Sequence, residues 1–365
     1  MTRSRGGATG RPTLITGGAG FVGANLAHRL LGAGRRVRVL DNLSRPGVER
    51  NLQWLRDTHG ASLEVEIVDV RDAGAVRRAV RDAASVFHFA AQVAVTTSLV
   101  DPIEDFDVNA RGTLNVLEAV RALAEPPPLV FTSTNKVYGN LEDLALGLSG
   151  GRYALLDDAA RAHGVSEARP LRFHSPYGCS KGAADQYVLD YAHSYGLQAV
   201  VFRMSCIYGP RQFGNEDQGW VAHFLIRALE ERPIVLYGDG MQVRDVLFVD
   251  DLVDAFLLAE SNAAALAGRA FNIGGGPANT SSLLEVVALI GELHGTRPDV
   301  RFDAWRTGDQ RYYVSDTRAF EAATGWTPRH GVREGIEQLY AWLVNERAGR
   351  RVAAAASAGA RELRS

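Results

Sequence analysis

Tyr177 and Lys181 stand four residues apart in the run His174-Ser175-Pro176-Tyr177-Gly178-Cys179-Ser180-Lys181. On a helix, side chains at this spacing share one face. An ammonium beside a phenol favours the phenolate, so a group that ordinarily titrates near ~10 can exchange protons near neutrality. That chemistry suits oxidation of an alcohol, where a proton leaves oxygen as a hydride leaves carbon. The same pair also arises by chance on surface helices, so its meaning depends on what accompanies it.

The first companion is a glycine turn. Gly17-Gly18-Ala19-Gly20-Phe21-Val22-Gly23 follows a short apolar strand pattern, Thr13–Thr16, and opens a helix pattern, Phe21–Leu31. Glycines spaced Gly17-x-x-Gly20-x-x-Gly23 permit a tight turn, close approach of backbone to a pyrophosphate and close helix–strand packing. The helix start then offers N–H groups and partial positive charge to phosphates. Asp41 ends the next strand, Arg36–Leu40, where an acid would hold the ribose hydroxyls of NAD and repel a 2′-phosphate. A turn aspartate is the plain alternative, and Arg45 nearby keeps NADP open. Asp69-Val70, after the third strand, would sit at the adenine edge, where a surface aspartate fits equally well.

These groups need a scaffold, and the chain alternates accordingly. Strand patterns at Val65–Val68, Val86–Phe89, Leu129–Ser133 and Ala199–Met204 are separated by helix patterns at Ala73–Arg81, Phe106–Leu123 and Tyr177–Tyr195. This alternation predicts an α/β fold, a Rossmann-type doubly wound parallel sheet with helices on both faces. Past Tyr208-Gly209-Pro210 the rhythm loosens. Helices at Val221–Leu229, Asp250–Glu260, Ser282–His294 and Val332–Asn345, with strands near Ile234–Tyr237, Val246–Val249 and Phe271–Ile273, predict a smaller mixed α/β C-terminal substrate domain. We expect a NAD-binding domain over 11–205 with a return segment near 243–274, a substrate domain over 206–242 and 275–346, and disordered tails over 1–10 and 347–365. Residues 141–172, rich in Gly, Ala and charge, look like an inserted loop region.

Composition narrows the class. A formal net charge of −2 gives no basic field for nucleic acid. Two cysteines cannot build a disulfide framework or a cysteine-rich zinc site, and no metal site is expected. No apolar run reaches the roughly 18 residues a membrane span needs. A cytoplasmic enzyme is the expectation. His88 and His174 are expected to be structural, and Cys179 and Cys206 small reduced fillers.

Together, the glycine spacing, Asn109 with Gly112-Thr113, and Tyr177/Lys181 resemble the extended short-chain dehydrogenase/reductase superfamily, within its NAD-dependent epimerase/dehydratase family. The resemblance covers about Pro12 to Asn345. It implies NAD as cofactor, with Tyr177 as the catalytic acid/base. It also implies that Lys181 lowers the phenol's pKa and holds the nicotinamide ribose. Matching the strand-to-loop motif Thr132-Ser133-Thr134-Asn135-Lys136-Val137-Tyr138-Gly139 puts Thr134 at the position that orients the substrate hydroxyl, with Ser133 structural. The implied cofactor set is Gly17, Gly20, Phe21, Val22, Gly23, Asp41, Asn42, Ser44, Arg45, Asp69, Val70, Ala90, Ala91, Asn109, Tyr177, Lys181 and Ser205.

Asn135 and Lys136 bear on the reaction. Sugar-nucleotide dehydratases of this superfamily carry an Asp-Glu pair here, because elimination of water needs a general acid and a general base. An amide and an ammonium argue against dehydration. Ser133–Gly139, Phe173–Tyr187, Asp217–Val221 and Gln242–Leu247 look like the CDP-paratose 2-epimerase subfamily. That resemblance implies a nucleotide-diphosphate sugar, CDP-hexose favoured, inverted at C2 through a transient keto-sugar. Arg244 matches a diphosphate-binding arginine; Arg306 is a second candidate, and Gln92 a candidate sugar contact. Inversion at C4, or at C2 of an ordinary hexose such as glucose, is the nearest alternative. A non-enzymatic NAD sensor is a remote one. The resemblance also implies a homodimer or homotetramer formed through the helices at Asn109–Leu123 and Tyr177–Tyr195.

Overall fold

The structure, a computed structural model, describes residues 10–362, with side chains through residue 349. The tail expected over 1–10 lies, except for Gly10, outside the described residues. The chain begins β1 (Thr13–Thr16), α1 (Phe21–Gly32), β2 (Val37–Asp41), α2 (Val48–His59), β3 (Leu63–Ile67), α3 (Ala73–Val80) and β4 (Ser85–His88). Next come α4 (Val95–Val100), α5 (Pro102–Phe106) and α6 (Gly112–Arg121), with a single π-helical turn, Asp107–Arg111, joining the last two. β5 (Leu129–Thr134) runs into a 3₁₀ turn, Asn135–Tyr138. β6 (Leu146–Ser149), β7 (Arg152–Leu155) and α7 (Asp158–His163) precede the long α8 (Ser175–Tyr195). β8 (Ala199–Met204), β9 (Cys206–Tyr208), α9 (Trp220–Leu229), β10 (Ile234–Tyr237), β11 (Val243–Phe248), α10 (Val249–Ser261), α11 (Ala263–Leu266) and β12 (Arg269–Ile273) follow. The chain closes with β13 (Thr280–Ser282), α12 (Leu283–His294), β14 (Val300–Asp303), β15 (Tyr312–Tyr313), α13 (Arg318–Thr324) and α14 (Val332–Glu362).

Seven parallel strands form the central sheet in the order β12-β8-β5-β4-β1-β2-β3. The order reverses between β1 and β4, which opens a crevice at the carboxyl ends of those strands. Alternate residues of each strand feed two cores. Ile15, Val39, Phe87, Val130 and Phe202 pack under α1, α2 and α10, while Leu14, Leu40, Val86, Phe131 and Val201 pack under α3, α6 and α8. Burial on both faces explains why these strands read as continuous apolar runs.

β11 does not join this sheet. It pairs with β9, β13 and β15 in a smaller one, and only β12 returns to the main sheet at its edge. A third core, with Val221, Leu225, Val286, Ile290, Ile336 and Leu339 at its centre, unites α9, α12 and α14.

Three other expectations change. Residues 141–172 hold a hairpin (β6–β7) and α7 rather than a bare loop, stitched down by Tyr153 N–H to Met241 O (3.1 Å) and Tyr153 Oη to Asp239 Oδ2 (2.7 Å). The Phe106–Leu123 helix is interrupted by the π turn that carries Asn109. The final helix runs on to Glu362 through the segment expected to be disordered from 347; its alanines are strong helix formers. Among the described residues no helix is long and apolar enough to cross a membrane, and no group of three or more His, Cys, Asp or Glu is placed to hold a metal ion.

Candidate active site

The glycine turn is built to admit something against its backbone. Gly17 has φ +69°, and a Cβ there would lie 2.7 Å from Ala90 N; a Cβ on Gly23 would lie 2.4 Å from Gly17 O. Gly20 caps α1 without any side-chain bond, leaving the helix start open. The cleft above measures ≈ 290 Å³ and is lined by Gly17, Gly20, Asp41, Asn42, Ser44, Arg45, Asp69, Val70, Ala90 and Ala91 among others. A second, adjoining chamber of ≈ 150 Å³ holds Phe21, Val22, Gly23, Ser133, Tyr177 and Lys181.

Asp41 Oδ2 accepts from Ala19 N–H (3.0 Å) and Oδ1 from Leu43 N–H (2.9 Å), which aims the carboxylate at the end of β2 into the cleft. Burial pushes its pKa up against those two bonds. Asn42 donates to Asp69 (2.8 Å), and Arg71 holds the Asp69 carboxyl down at about 2. These residues fit a dinucleotide: a bare backbone cradle, an acid for ribose hydroxyls, and Ser133, lining the second chamber with a buried hydroxyl that has no partner. Ser133 was expected to be structural. Ser133 lines the second chamber near the end of β5, with its hydroxyl buried and unpartnered.

Tyr177 and Lys181 share the buried face of α8 with Ser180, Ala184, Asp185 and Val188. The helix starts under strain. Ser175, just before Pro176, has φ +64°, and its hydroxyl accepts from Gly178 N–H (3.2 Å). Thr134, at the end of β5, lines the same chamber as the Tyr177 phenol and pulls its pKa down, while its hydroxyl donates to Asn135 Oδ1 (3.3 Å).

Lys181 behaves differently from the expectation. Its Nζ donates to Thr132 O (2.6 Å) and lies 4.3 Å from the Phe131 ring centroid. Burial lowers its pKa to about 7, with Asp185 and Asp105 opposing. Burial likewise pushes the Tyr177 phenol up to about 12, while Thr134 and Arg45 pull it down. In the protein alone, desolvation outweighs the field of neighbouring cations, so the phenol rests protonated.

Behind these groups lies a polar network around Asp105 that joins Asn109 and Gln92 to α8, connections that sequence reasoning missed. Asp105, fully buried, accepts from Ser180, Gln92 Nε2 (2.8 Å) and Asn109 Nδ2 (3.2 Å). Asn109 accepts from Gln92 N–H (2.9 Å) and donates to Ser180 (3.0 Å). Ser98 on α4 accepts from Tyr177 N–H (3.1 Å). Asn109 therefore fixes the loop after β4 against α8 and is itself buried. Gln92 lines the cofactor cleft rather than the substrate side, and its amide is consumed by Asp105 and Ala94, so the structure does not bring it to a sugar. His88 bridges Thr16 (2.7 Å) and Thr113 (3.0 Å); burial holds its pKa at about 3, a neutral structural histidine.

On the other side of Thr134 and Tyr177 two chambers continue into the C-terminal part. The nearer, ≈ 300 Å³, contains Thr134, Asn135, Lys136, Tyr177, Cys206 and Arg306; the farther, ≈ 220 Å³, contains Lys136, Trp220, Tyr237, Gln242, Arg244 and Arg306. Gln242 Nε2 donates to Tyr237 O (2.7 Å), which orients the amide and leaves Oε1 buried and unpartnered; Trp220 Nε1 is likewise unpartnered. Arg244 is buried and donates to Val243 O (2.8 Å).

Arg306 stacks 3.6 Å from the Tyr237 centroid and pairs with Glu216 (3.3 Å) and Asp217 (3.5 Å). The segment around them straps the cleft: Asp217 accepts from Thr96 (2.9 Å) and Gln218 from Arg45. Ser205, expected at the cofactor, lies in the nearer substrate chamber with its hydroxyl bound to Asp245, which β11 carries past it.

A glycine cradle, an acid at the end of β2 and Thr134, Tyr177 and Lys181 meeting at the β5–α8 junction define a short-chain oxidoreductase-type site. The model of the NAD dependent epimerase/dehydratase family matches residues 13–274, and the chain belongs to that family. NAD is its cofactor, and epimerisation its class of reaction. Over 338 residues it is 43% identical to CDP-paratose 2-epimerase of Salmonella typhi, covering 90% of this chain and 98% of that one. UDP-glucose 4-epimerase of Mycolicibacterium smegmatis is 34% identical over 337 residues, 92% and 99% of the two chains. The crystal structure of Thermus thermophilus UDP-glucose 4-epimerase in complex with NAD superposes with a TM-score of 0.75 at 34% identity, covering 91% and 98%.

Proposed function

We propose that the protein inverts C2 of a CDP-hexose by transient oxidation to a keto-sugar. The observation that carries this reading is the Thr134–Tyr177 pair opening onto a substrate chamber in which Asn135 and Lys136 replace the carboxylates an elimination needs. Similarity to a CDP-paratose 2-epimerase supports the nucleotide and the carbon.

In this reading Gly17, Gly20, Gly23, Asp41 and Ser133 hold the cofactor. When bound, NAD supplies a hydride acceptor that later returns the hydride, and a positive charge that favours the phenolate. Tyr177 Oη removes the proton from the sugar hydroxyl and restores it after the sugar has turned. Thr134 Oγ1 holds the same oxygen, and the Lys181 ammonium, fixed on Thr132 O, presents its remaining donors to the ribose. Arg244 anchors the diphosphate while the sugar turns, beside the aromatic wall of Trp220 and Tyr237. Arg306 exchanges Glu216 and Asp217 for phosphate. A second copy of the chain is the proposed partner, through α4–α6 and α8, where Val100, Ile103, Tyr187 and Tyr195 expose apolar surface.

The test is NMR of products from a panel of CDP- and UDP-sugars given to the NAD-loaded protein. We expect inversion at C2 with CDP-hexoses and weak or no turnover of UDP-hexoses. Inversion at C4, or preference for UDP-glucose, would overturn the reading.

A further inference from the structure

Lys136 is the one ammonium shared by the two substrate chambers. The 3₁₀ turn after Thr134 carries it, and Nζ donates to Gly308 O at 2.9 Å. Arg244, on β11, is close enough to oppose its charge, while Asp309 supports it and the Cys206 thiol faces it from β9. Each of the two cations donates to one backbone carbonyl, and among the described residues neither has a carboxylate within ion-pair distance. Of the carboxylates lining these chambers, Glu216 and Asp217 pair with Arg306, so Lys136 and Arg244 face the chamber with Asp309 as their nearby carboxylate and with donors to spare for a further anion.

The position of Lys136 relative to Thr134 has a chemical meaning. In a nucleotide sugar, C2 is bonded to C1, whose oxygen bears the β-phosphate; C4 lies across the ring from it. Presenting the C2 hydroxyl to Thr134 and Tyr177 therefore draws the β-phosphate into the same chamber, beside the residues that follow Thr134. Presenting C4 sends the phosphate to the far side of the ring. A cation two residues beyond the hydroxyl that orients the reacting oxygen matches the first arrangement.

Resting on the function proposed above, we propose that the Lys136 ammonium binds the substrate's β-phosphate and thereby selects the carbon next to the anomeric centre for oxidation. Burial lowers the Lys136 pKa to about 8, so the site gains its full charge only below that pH, and a bound phosphate would raise it.

The experiment compares CDP and CMP binding to the NAD-loaded enzyme by calorimetry, with UDP and UMP in parallel. K136M should lose about 10- to 100-fold in affinity for the diphosphate, as expected for a charged hydrogen bond, with the monophosphate unchanged. K136R should retain most of the preference. In the wild type, the diphosphate-over-monophosphate ratio should fall roughly tenfold per pH unit above about 8 as the ammonium loses its proton. This last readout needs no variant to fold. Equal losses for both nucleotides in K136M, or a ratio flat from pH 7.5 to ~9.5, would overturn the role of Lys136. Wild-type inversion at C4 would instead overturn the parent reading and the choice of carbon, whatever the binding ratio shows.

Discussion

Replacing Tyr177 by phenylalanine should slow turnover by roughly 10³- to 10⁴-fold while leaving NAD bound. The ring is almost wholly buried among groups that remain, so its packing survives; what is lost is the oxygen that shares a chamber with Thr134. Burial pushes this phenol up to about 12 in the protein alone, so the phenolate exists only when positive charge is delivered beside it. The phenylalanine variant should therefore show an unchanged NAD dissociation constant and an unchanged KM within a few-fold, with the whole loss in kcat. Activity near that of the wild type would remove Tyr177 from the chemistry, and loss of NAD would mean the ring's role is structural.

Asp185→Ala should destabilise the fold by about 3–5 kcal/mol, read from urea denaturation. Asp185 and Arg203 form a two-bond fork, both at 2.9 Å, with side-chain exposures of 0% and 6%. Arg203 also donates to the Tyr138 hydroxyl (3.2 Å), which donates to Asn272 on β12 (2.8 Å). Removing the carboxylate leaves a guanidinium buried and unpaired between α8 and the sheet. The same carboxylate raises the Lys181 pKa, so its loss also lowers the fraction of Lys181 charged at neutral pH. A stability change under about 0.5 kcal/mol, the range of ordinary surface substitutions, would contradict this account of the junction.

Much of the site is local in sequence and could be read there. The glycine turn, Asp41 and the Tyr177/Lys181 spacing each depend on a few consecutive residues within one strand–turn or one helix. What sequence reading missed is how groups act across long separations. Asp105, Asn109, Gln92 and Ser180 converge from two segments about as far apart as helices α5 and α8, and nothing in either segment names the other. The pairing of Arg306 with Glu216 and Asp217 and the placement of Ser205 on Asp245 depend on where β11 and the strap settle.

The same holds for the fold. The parallel sheet follows from apolar runs and their spacing. By contrast, α2 has a mostly polar surface with only Val48, Asn51, Leu52 and Leu55 buried, so its pattern is thin. The β6–β7 hairpin draws its stability from contacts with residues near 240 and 280 rather than from its own glycine-rich sequence.

In the proposed reaction Tyr177 and Thr134 serve a redox inversion, in which hydrogen leaves and returns to the same carbon without meeting solvent. Running the CDP-hexose reaction in D₂O and following the inverted carbon by NMR tests it most directly. Inversion with no deuterium at that carbon over many turnovers is the expected result. Deuterium accumulating there in step with turnover would show that the proton exchanges with water through an enol, and would contradict it.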